Sequence, residues 1–476
     1  MHHGALRALE FDRIVEVVCG YAQTPPGRAR LARLHPSVEP TQVAATLAAT
    51  EETVRFLGDN HVGLQAPDDL DMLIGALSVE GRALEPLQLI ALASFLASIE
   101  RTCAAIRSAR SAFPILRRIA DTTSSFEPEI ADIRRKIDPS GEVVDDASPE
   151  LKAIRERLRK QRARLRGTLE SYLRGKDTAK YLQQQIVTDR NGRYVLVVRS
   201  EHRSAIPGIV HGSSGSGASL FLEPLSTVEI NNDIVALEEQ EREEVHRILV
   251  ALADRLRGRA TEMHRNLDAA TDLDVLQASA QLSIAVDGIK PRLADDGRLE
   301  LRGARHPLLI AAVRRRLEDV DTDVDETTGA KNRSRPSGPV PVDVVLIPPT
   351  RVLVITGPNT GGKTVALKTA GLLSLMAQSG LLIPVADGSQ VPVFRSIFAD
   401  IGDEQSIAES LSTFSGHIAN VVATDRALSL PALVLLDEAG AGTDPAEGGA
   451  LAMAIIDHFR VRGAVVIATT HYDSLK

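Results

Sequence analysis

Tryptophan is absent, and Phe and Tyr together make up only 3% of the 476 residues. Cysteine is nearly absent: Cys19 and Cys103 are the two present, which excludes a disulfide framework and points to a reducing compartment. Both lie in helix-like apolar surroundings and read as structural thiols. The N-terminus mixes Arg7, Glu10, Asp12 and Arg13, so it has no secretory signal core. The longest apolar stretch, near Leu87–Ile99, is shorter than the ~20 residues of a membrane helix. No membrane partner and a cytoplasmic location are therefore expected. A net charge of −8 excludes general nucleic-acid affinity but leaves room for a local basic arm.

What is present is ordinary for a multidomain globular chain: 43% hydrophobic and 25% charged residues, ample for real cores. Residues 1–150 show apolar positions at 3–4 spacing and read as a helical core domain, with a linker at Asp138–Pro149. The next stretch, LKAIRERLRKQRARLRGTLESYLRGK (Leu151–Lys176), has one apolar stripe, with ten Lys/Arg against Glu156 and Glu170. A second long helix begins near Ile230. Between them, Tyr194–Val198 and SLFLEP read as short strands, with a turn at Asn191–Gly192 and a mobile loop at HGSSGSGAS. This predicts an antiparallel coiled-coil arm (151–176 and 230–290) with a small β-rich tip (177–229).

From 291 to 476 the pattern becomes α/β. The polar stretch Leu317–Pro339 has Asp at alternate positions. An EF-hand needs Gly at its sixth position, where Val324 or Glu326 stands here, so a solvated loop is expected. The run RVLVITGPNTGGKT is strand, glycine-rich loop and helix start. Its Gly357, Pro358, Asn359, Thr360, Gly361, Gly362, Lys363 and Thr364 fit the phosphate-binding loop, whose backbone N–H groups and helix N-terminus cradle an anion. Lys363 is expected on the β- and γ-phosphates of ATP and Thr364 on Mg²⁺. About 75 residues on, ALVLLDEAGAGTDP reads as a buried parallel strand ending in acids. Asp437 suits Mg²⁺ and Glu438 suits a general base for the attacking water. VVIATTHYDSL is another buried strand, ending in Thr470 and His471, a candidate γ-phosphate sensor.

Between lysine loop and acids lies SLSTFSGHI, Ser410–Ile418. The order of lysine loop, this cluster, Asp–Glu, GAGTDP and His is that of ATP-binding-cassette folds, in which two subunits sandwich nucleotide. Ser412 and Thr413, at a helix N-terminus, suit the γ-phosphate of ATP held by another subunit. A plain helix cap is a compatible reading. The arm lies upstream of the cassette, which excludes a chromosome-organising coiled-coil ATPase. The signature also departs from the L-S-G-G-Q of transporters.

TGPNTGGKT, DIGDEQSIAESLSTFSGHI, LLDEAGAGTDPAEGGALA and ATTHYDSLK together resemble the MutS ATPases, and most closely the MutS-II branch of bacteria. The N-terminal LEFDRIVEVVCGYAQTPPGRARLARLHPS and the insert RYVLVVRSEHRSAIPGIVHGSSGSGASLFLEP are similar to that branch too. The resemblance implies a homodimeric ATPase using ATP and Mg²⁺ that clamps branched or duplex DNA, or ribosomes through rRNA, with roles in suppressing homologous recombination and in ribosome rescue. Arg190, Arg193, Arg199 and Arg203 on the clamp are candidates for phosphate-backbone contacts. Mismatch-reading relatives wedge a Phe-x-Glu motif into DNA from an N-terminal domain. Phe221–Leu222–Glu223 matches it literally but lies in the insert and is read as coincidence. The family continues past the switch histidine with helices that complete the dimer and a Smr nuclease-type domain. No nuclease motif is visible in these residues, so no endonuclease step is expected of them. The alternative reading is a structural clamp that does not hydrolyse ATP.

Overall fold

The computed structural model describes all residues except 1–2, 191, 323–337, 358–361, 403–412, 441–444 and 472–476. The chain divides into two compact units, each drawing on several stretches: Met1–Asp68, Ser98–Ser124 and His264–Lys476 in one, Asp69–Ala97 and Ser125–Met263 in the other.

In the second unit, the basic helix Pro149–Arg174 starts where Ser148 accepts the Leu151 N–H at 3.0 Å, with Pro149 pre-set for the first turn. It packs along an acidic helix, Leu225–Arg257. The pairing is antiparallel: Ser148 meets Glu244, Arg155 meets Glu241, Arg162 meets Glu238, and Tyr172 meets Ser226. The apolar stripe supplies Leu158, Leu165 and Leu169 to a core with Ile230, Ile234 and Leu237. The chain between the helices forms an antiparallel sheet of β1 (Leu182–Arg190), β2 (Arg193–Arg199), β3 (Gly208–Ser213) and β4 (Ser219–Pro224), in the order β1-β2-β4-β3. Leu196, Val198 and Leu222 of this sheet join the same core.

Three expectations change here. The stretch read as a mobile loop is mostly ordered: its His211–Ser213 belong to β3, and a turn at Ser214–Gly217 is closed by the Gly217 N–H on Ser214 O at 2.8 Å. The expected linker is a folded turn as well. The Asp138 carboxylate accepts the Ser140 hydroxyl at 2.7 Å and the N–H groups of Glu142 and Ser140, which hold its pKa below the usual range. Finally, the second helical stretch breaks. Leu225–Arg257 ends at Gly258, and a new helix runs Ala260–Ala285.

The first unit carries two sheets. One contains β5 (Arg292–Ala294), β6 (Leu299–Ala304), β7 (Val342–Leu346) and β9 (Gln390–Pro392). The other is wholly parallel, with β8 (Val352–Thr356), β10 (Ser396–Asp400), β11 (Ala432–Leu436) and β12 (Val465–Thr470) in the order β10-β11-β12-β8. Successive side chains of these strands go to opposite faces. Leu433, Leu435, Val465 and Ile467 pack with the phosphate-loop helix Lys363–Gln378 and with Leu9, Phe11 and Ile14 near the N-terminus. Val434, Leu436, Val466 and Ala468 pack on the other side with Ala452, Ile456 and Phe459 of the helix Pro445–Val461. Burial on both faces explains why β11 and β12 read as unbroken apolar runs. Gly371 permits a close approach of helix to sheet: a Cβ there would lie 2.5 Å from Leu435 Cδ1.

The helix Pro86–Ser108 is longer than the apolar stretch in the sequence suggested. By length and composition it could cross a membrane, but 61% of its apolar window is buried within the protein, as in a core helix. Residues 317–322 of the expected solvated loop finish the helix Ala311–Thr322, and 323–337 lie outside the described residues. Cys103 is buried and Cys19 half-buried, both as free thiols, and burial raises the pKa of each.

Candidate functional site

Parallel strands present their C-terminal ends on one edge, and three of them, β8, β11 and β12, bring the sequence-flagged groups together there. β12 lies between β8 and β11, with Thr470 level with Thr356, Ala468 with Leu436, and Leu436 with Asp400. Gly357 follows β8 at φ 149°, and Gly362 enters the helix at φ 80°, a left-handed conformation that glycine adopts freely. Pro358, Asn359, Thr360 and Gly361 lie outside the described residues. Lys363 is buried, and its ammonium donates to Gly357 O at 2.7 Å and Thr470 O at 3.4 Å. The lysine thus sits between the loop and the end of β12.

The acid pair follows β11 directly. The Asp437 N–H donates to Asp400 O at 2.9 Å. Glu438 adopts φ 46°, an uncommon conformation for a residue other than glycine. Its N–H donates to Thr469 Oγ1 at 2.8 Å, while the same hydroxyl donates to Asp437 Oδ1. Thr469 therefore ties both acids to β12. Sequence reasoning passed over it; the signal was its place in the Thr469–Thr470–His471 run, where period-2 alternation sends neighbouring side chains to opposite faces. His471 follows β12 and is exposed.

At the outer strand, Asp400 accepts from Asn420 Nδ2 at 2.9 Å and pairs with His417 Nδ1 at 2.7 Å. The hydrogen bond to the Asp400 carboxylate raises the His417 pKa. His417 and Asn420 belong to the helix Thr413–Ala427, which begins at Thr413; Ser412 lies outside the described residues.

A cavity of ≈ 420 Å³ opens beside the first turn of the phosphate-loop helix, lined by Thr364, Val365, Lys368, Glu10, His306 and Leu308 among others. Lys368 pairs with Glu10 at 3.1 Å. Burial pushes the His306 pKa down to about 4, so its imidazole is neutral at pH 7, and its Nδ1 has no hydrogen-bond partner among the described residues.

No group of three or more His, Cys, Asp or Glu among the described residues is placed to hold a metal ion. Mg²⁺ takes one or two protein oxygens together with water and substrate phosphates. The Thr364 hydroxyl and the Asp437 carboxylate are donors of that hard-oxygen type.

Residues 353–476 match the family model described as MutS domain V, the ATPase domain of that family. Over its whole length the chain is also 42% identical to a protein named Endonuclease MutS2 from Symbiobacterium thermophilum, and 41% identical to one of the same name from Geobacillus thermodenitrificans. The chain belongs to the MutS family. It spans 56% and 58% of the length of these two MutS2 relatives.

The four arginines of the β insert occupy different settings. Arg199 and Arg203 are exposed. Arg190 lies 3.9 Å over the Phe221 ring, a cation–π contact. Arg193 is engaged internally: it donates to both carboxylate oxygens of Glu223 at 2.8 and 3.0 Å and also to Asn232. Glu223 is fully buried and is further held by His211 Nε2 at 2.6 Å and Asn231 Nδ2 at 2.8 Å. Within Phe221–Leu222–Glu223, then, the Phe stacks under an arginine and the Glu is enclosed.

Proposed function

We propose that this chain is a nucleotide-driven nucleic-acid clamp that hydrolyses ATP at a site shared between two copies. The observation that carries the reading is the convergence of Lys363, Asp437 and Glu438 on the ends of β8, β11 and β12, with Thr469 bonded to both acids. In this reading the loop Gly357–Thr364 holds the phosphates, and Lys363 neutralises the β- and γ-oxygens. The cavity beside Thr364 takes base and ribose. Mg²⁺, held by Thr364 and Asp437, would neutralise charge developing on the phosphates. Glu438 accepts a proton from the attacking water, and His471 reads the presence of the γ-phosphate. Ser412 and Thr413 complete the site of the opposite copy. A group supplied in trans to an NTPase is worth about 10³–10⁵ in rate.

The helical pair and its sheet act in this reading as lever and clamp, following the division 1–150, 151–176 with 230–290, 177–229 and 291–476. Arg190, Arg199 and Arg203 contact phosphates, and Arg193 braces the sheet beside them. The partners are branched or duplex DNA, or ribosomes through rRNA, in the cytoplasm, with roles in suppressing recombination and in ribosome rescue. The relatives are named endonucleases; no strand cleavage is routed through the residues described.

ATP turnover measured against protein concentration, with and without branched DNA or ribosomes, tests the proposal. Specific activity that rises with concentration is expected of a shared site. Flat specific activity at every concentration would leave an isolated cassette, and no turnover at all would favour a passive clamp.

A further inference from the structure

The charges of the basic helix Pro149–Arg174 fall into two groups. On the flank facing the acidic helix and the preceding turn, the cations are neutralised. Arg155 pairs with Asp145 and Glu241, Arg159 with Asp145, and Arg162 with Glu238, all within 2.8 Å. Arg157, Lys160 and Arg164 lie on the other flank, at i, i+3 and i+7, and therefore share one face. All three are exposed, and none forms an ion pair or hydrogen bond among the described residues. Glu156, one turn before Lys160, makes no ion pair with it. Ala153, Gly167 and Ser171 continue the stripe at either end, with Glu156 one turn from Lys160 at its side. The facing helix Leu225–Arg257 has the opposite character, with eight Asp/Glu against four Arg.

We propose that Arg157, Lys160 and Arg164 form a track for the phosphate backbone of a nucleic acid, separate from the arginines of the β insert. The three span seven residues of helix, about 10 Å at the 1.5 Å rise per residue. That is about three nucleotide steps of one B-form strand at ~3.4 Å of axial rise each, so the three cations would serve a stretch of about four phosphates. A row of like charges held at that spacing by a helix repels itself and is relieved by a polyanion. The acidic neighbouring helix confines the polyanion to this side. The inference rests on the reading of the helical pair and sheet as a nucleic-acid clamp, and adds to it a site on the helix itself.

The test uses the full chain and a labelled 30-base-pair duplex, with the single strand of equal length in parallel, titrated by anisotropy between 50 and 200 mM salt. Each neutralised duplex phosphate contributes about 0.9 to the slope of log affinity against log salt, and each single-strand phosphate about 0.7. The variant R157Q/K160Q/R164Q is expected to lower that slope by about 2.7 on duplex or about 2.1 on single strand, and to weaken binding by about tenfold or more at 100 mM salt. R199Q/R203Q should lower the slope independently. Wild-type binding with an unchanged slope and affinity in the triple variant overturns the track alone, and leaves an acidic polypeptide as the surface's partner or none. Failure of the wild type to bind either probe overturns the clamp reading and the track together. If the triple variant does not melt like wild type, K160Q decides, with an expected slope change of about 1.

Discussion

The sheet that ends in Asp437 and the sheet that carries Glu223 both have four strands, yet they treat their carboxylates in opposite ways. The first is parallel and buried on both faces, so polar chemistry is displaced to the strand ends. There Asp437 and Glu438 remain partly accessible, held by one hydroxyl. The second is antiparallel, with one face on the helical pair. A carboxylate that falls inside it must be satisfied there, and Glu223 has Arg193, His211 and Asn231 around it. An acid at a parallel strand end is available for reaction; an acid inside a half-covered antiparallel sheet fixes the shape of its surroundings.

Four substitutions test that contrast. The largest effect is expected from Glu438→Gln, which should slow ATP turnover about 10²–10⁴-fold while nucleotide binding survives. Turnover and equilibrium binding of a labelled nucleotide measure the two halves, and unchanged turnover removes Glu438 from the role of base. Glu223→Ala should leave binding of ATP alone but destabilise its unit by about 3–5 kcal/mol, because Arg193 and His211 lose their buried partner. Chemical unfolding reads this, and a loss under about 1 kcal/mol would mean that the enclosed carboxylate is not a structural centre. Thr469→Val removes a hydrogen bond to a charged group, worth about 1.5–3 kcal/mol, so turnover should fall about 10- to 100-fold with the fold intact. Equal activity of Thr469→Val and wild type would show that the acids orient themselves.

The smallest effect concerns pH. Asp400 raises the His417 pKa above its unfolded value near 6.5, so the pair adds stability that is fully present below that value. The contribution is lost as pH rises through the raised folded pKa. The melting temperature of wild type should therefore exceed that of His417→Gln most at pH 6, with the gap narrowing by pH 9. A gap that widens with pH would reverse the assignment.

The elements that converge on the ends of the parallel strands were legible because each rests on a local rule. Glycines before a lysine and an unbroken apolar run before two acids follow from backbone freedom and from burial on two faces. The basic helix was equally plain from its stripe of Leu158, Leu165 and Leu169. What sequence could not give depends on contacts between distant residues. Thr469 gains its meaning only from the register that sets β12 beside β11, and Asp400 only from His417 and Asn420 on a later helix. Arg193 looks like Arg199 and Arg203 in sequence. Its pairing with Glu223, thirty residues away, sets it apart. The break at Gly258 and the ordered turn at Asp138 were missed because glycine, serine and aspartate serve folded turns as readily as loops.

Three consecutive residues at the tip of β12 serve three masters. The Thr469 hydroxyl steers the acids on one side, the Thr470 carbonyl takes the lysine on the other, and His471 stands beyond both. The strand is thus a common axle: a rotation or slide of a fraction of an ångström would shift the Lys363 ammonium and the Asp437–Glu438 turn in the same instant. Because both positions are threonine, a slip by one residue would preserve the composition of the tip while turning the wrong hydroxyl toward the acids.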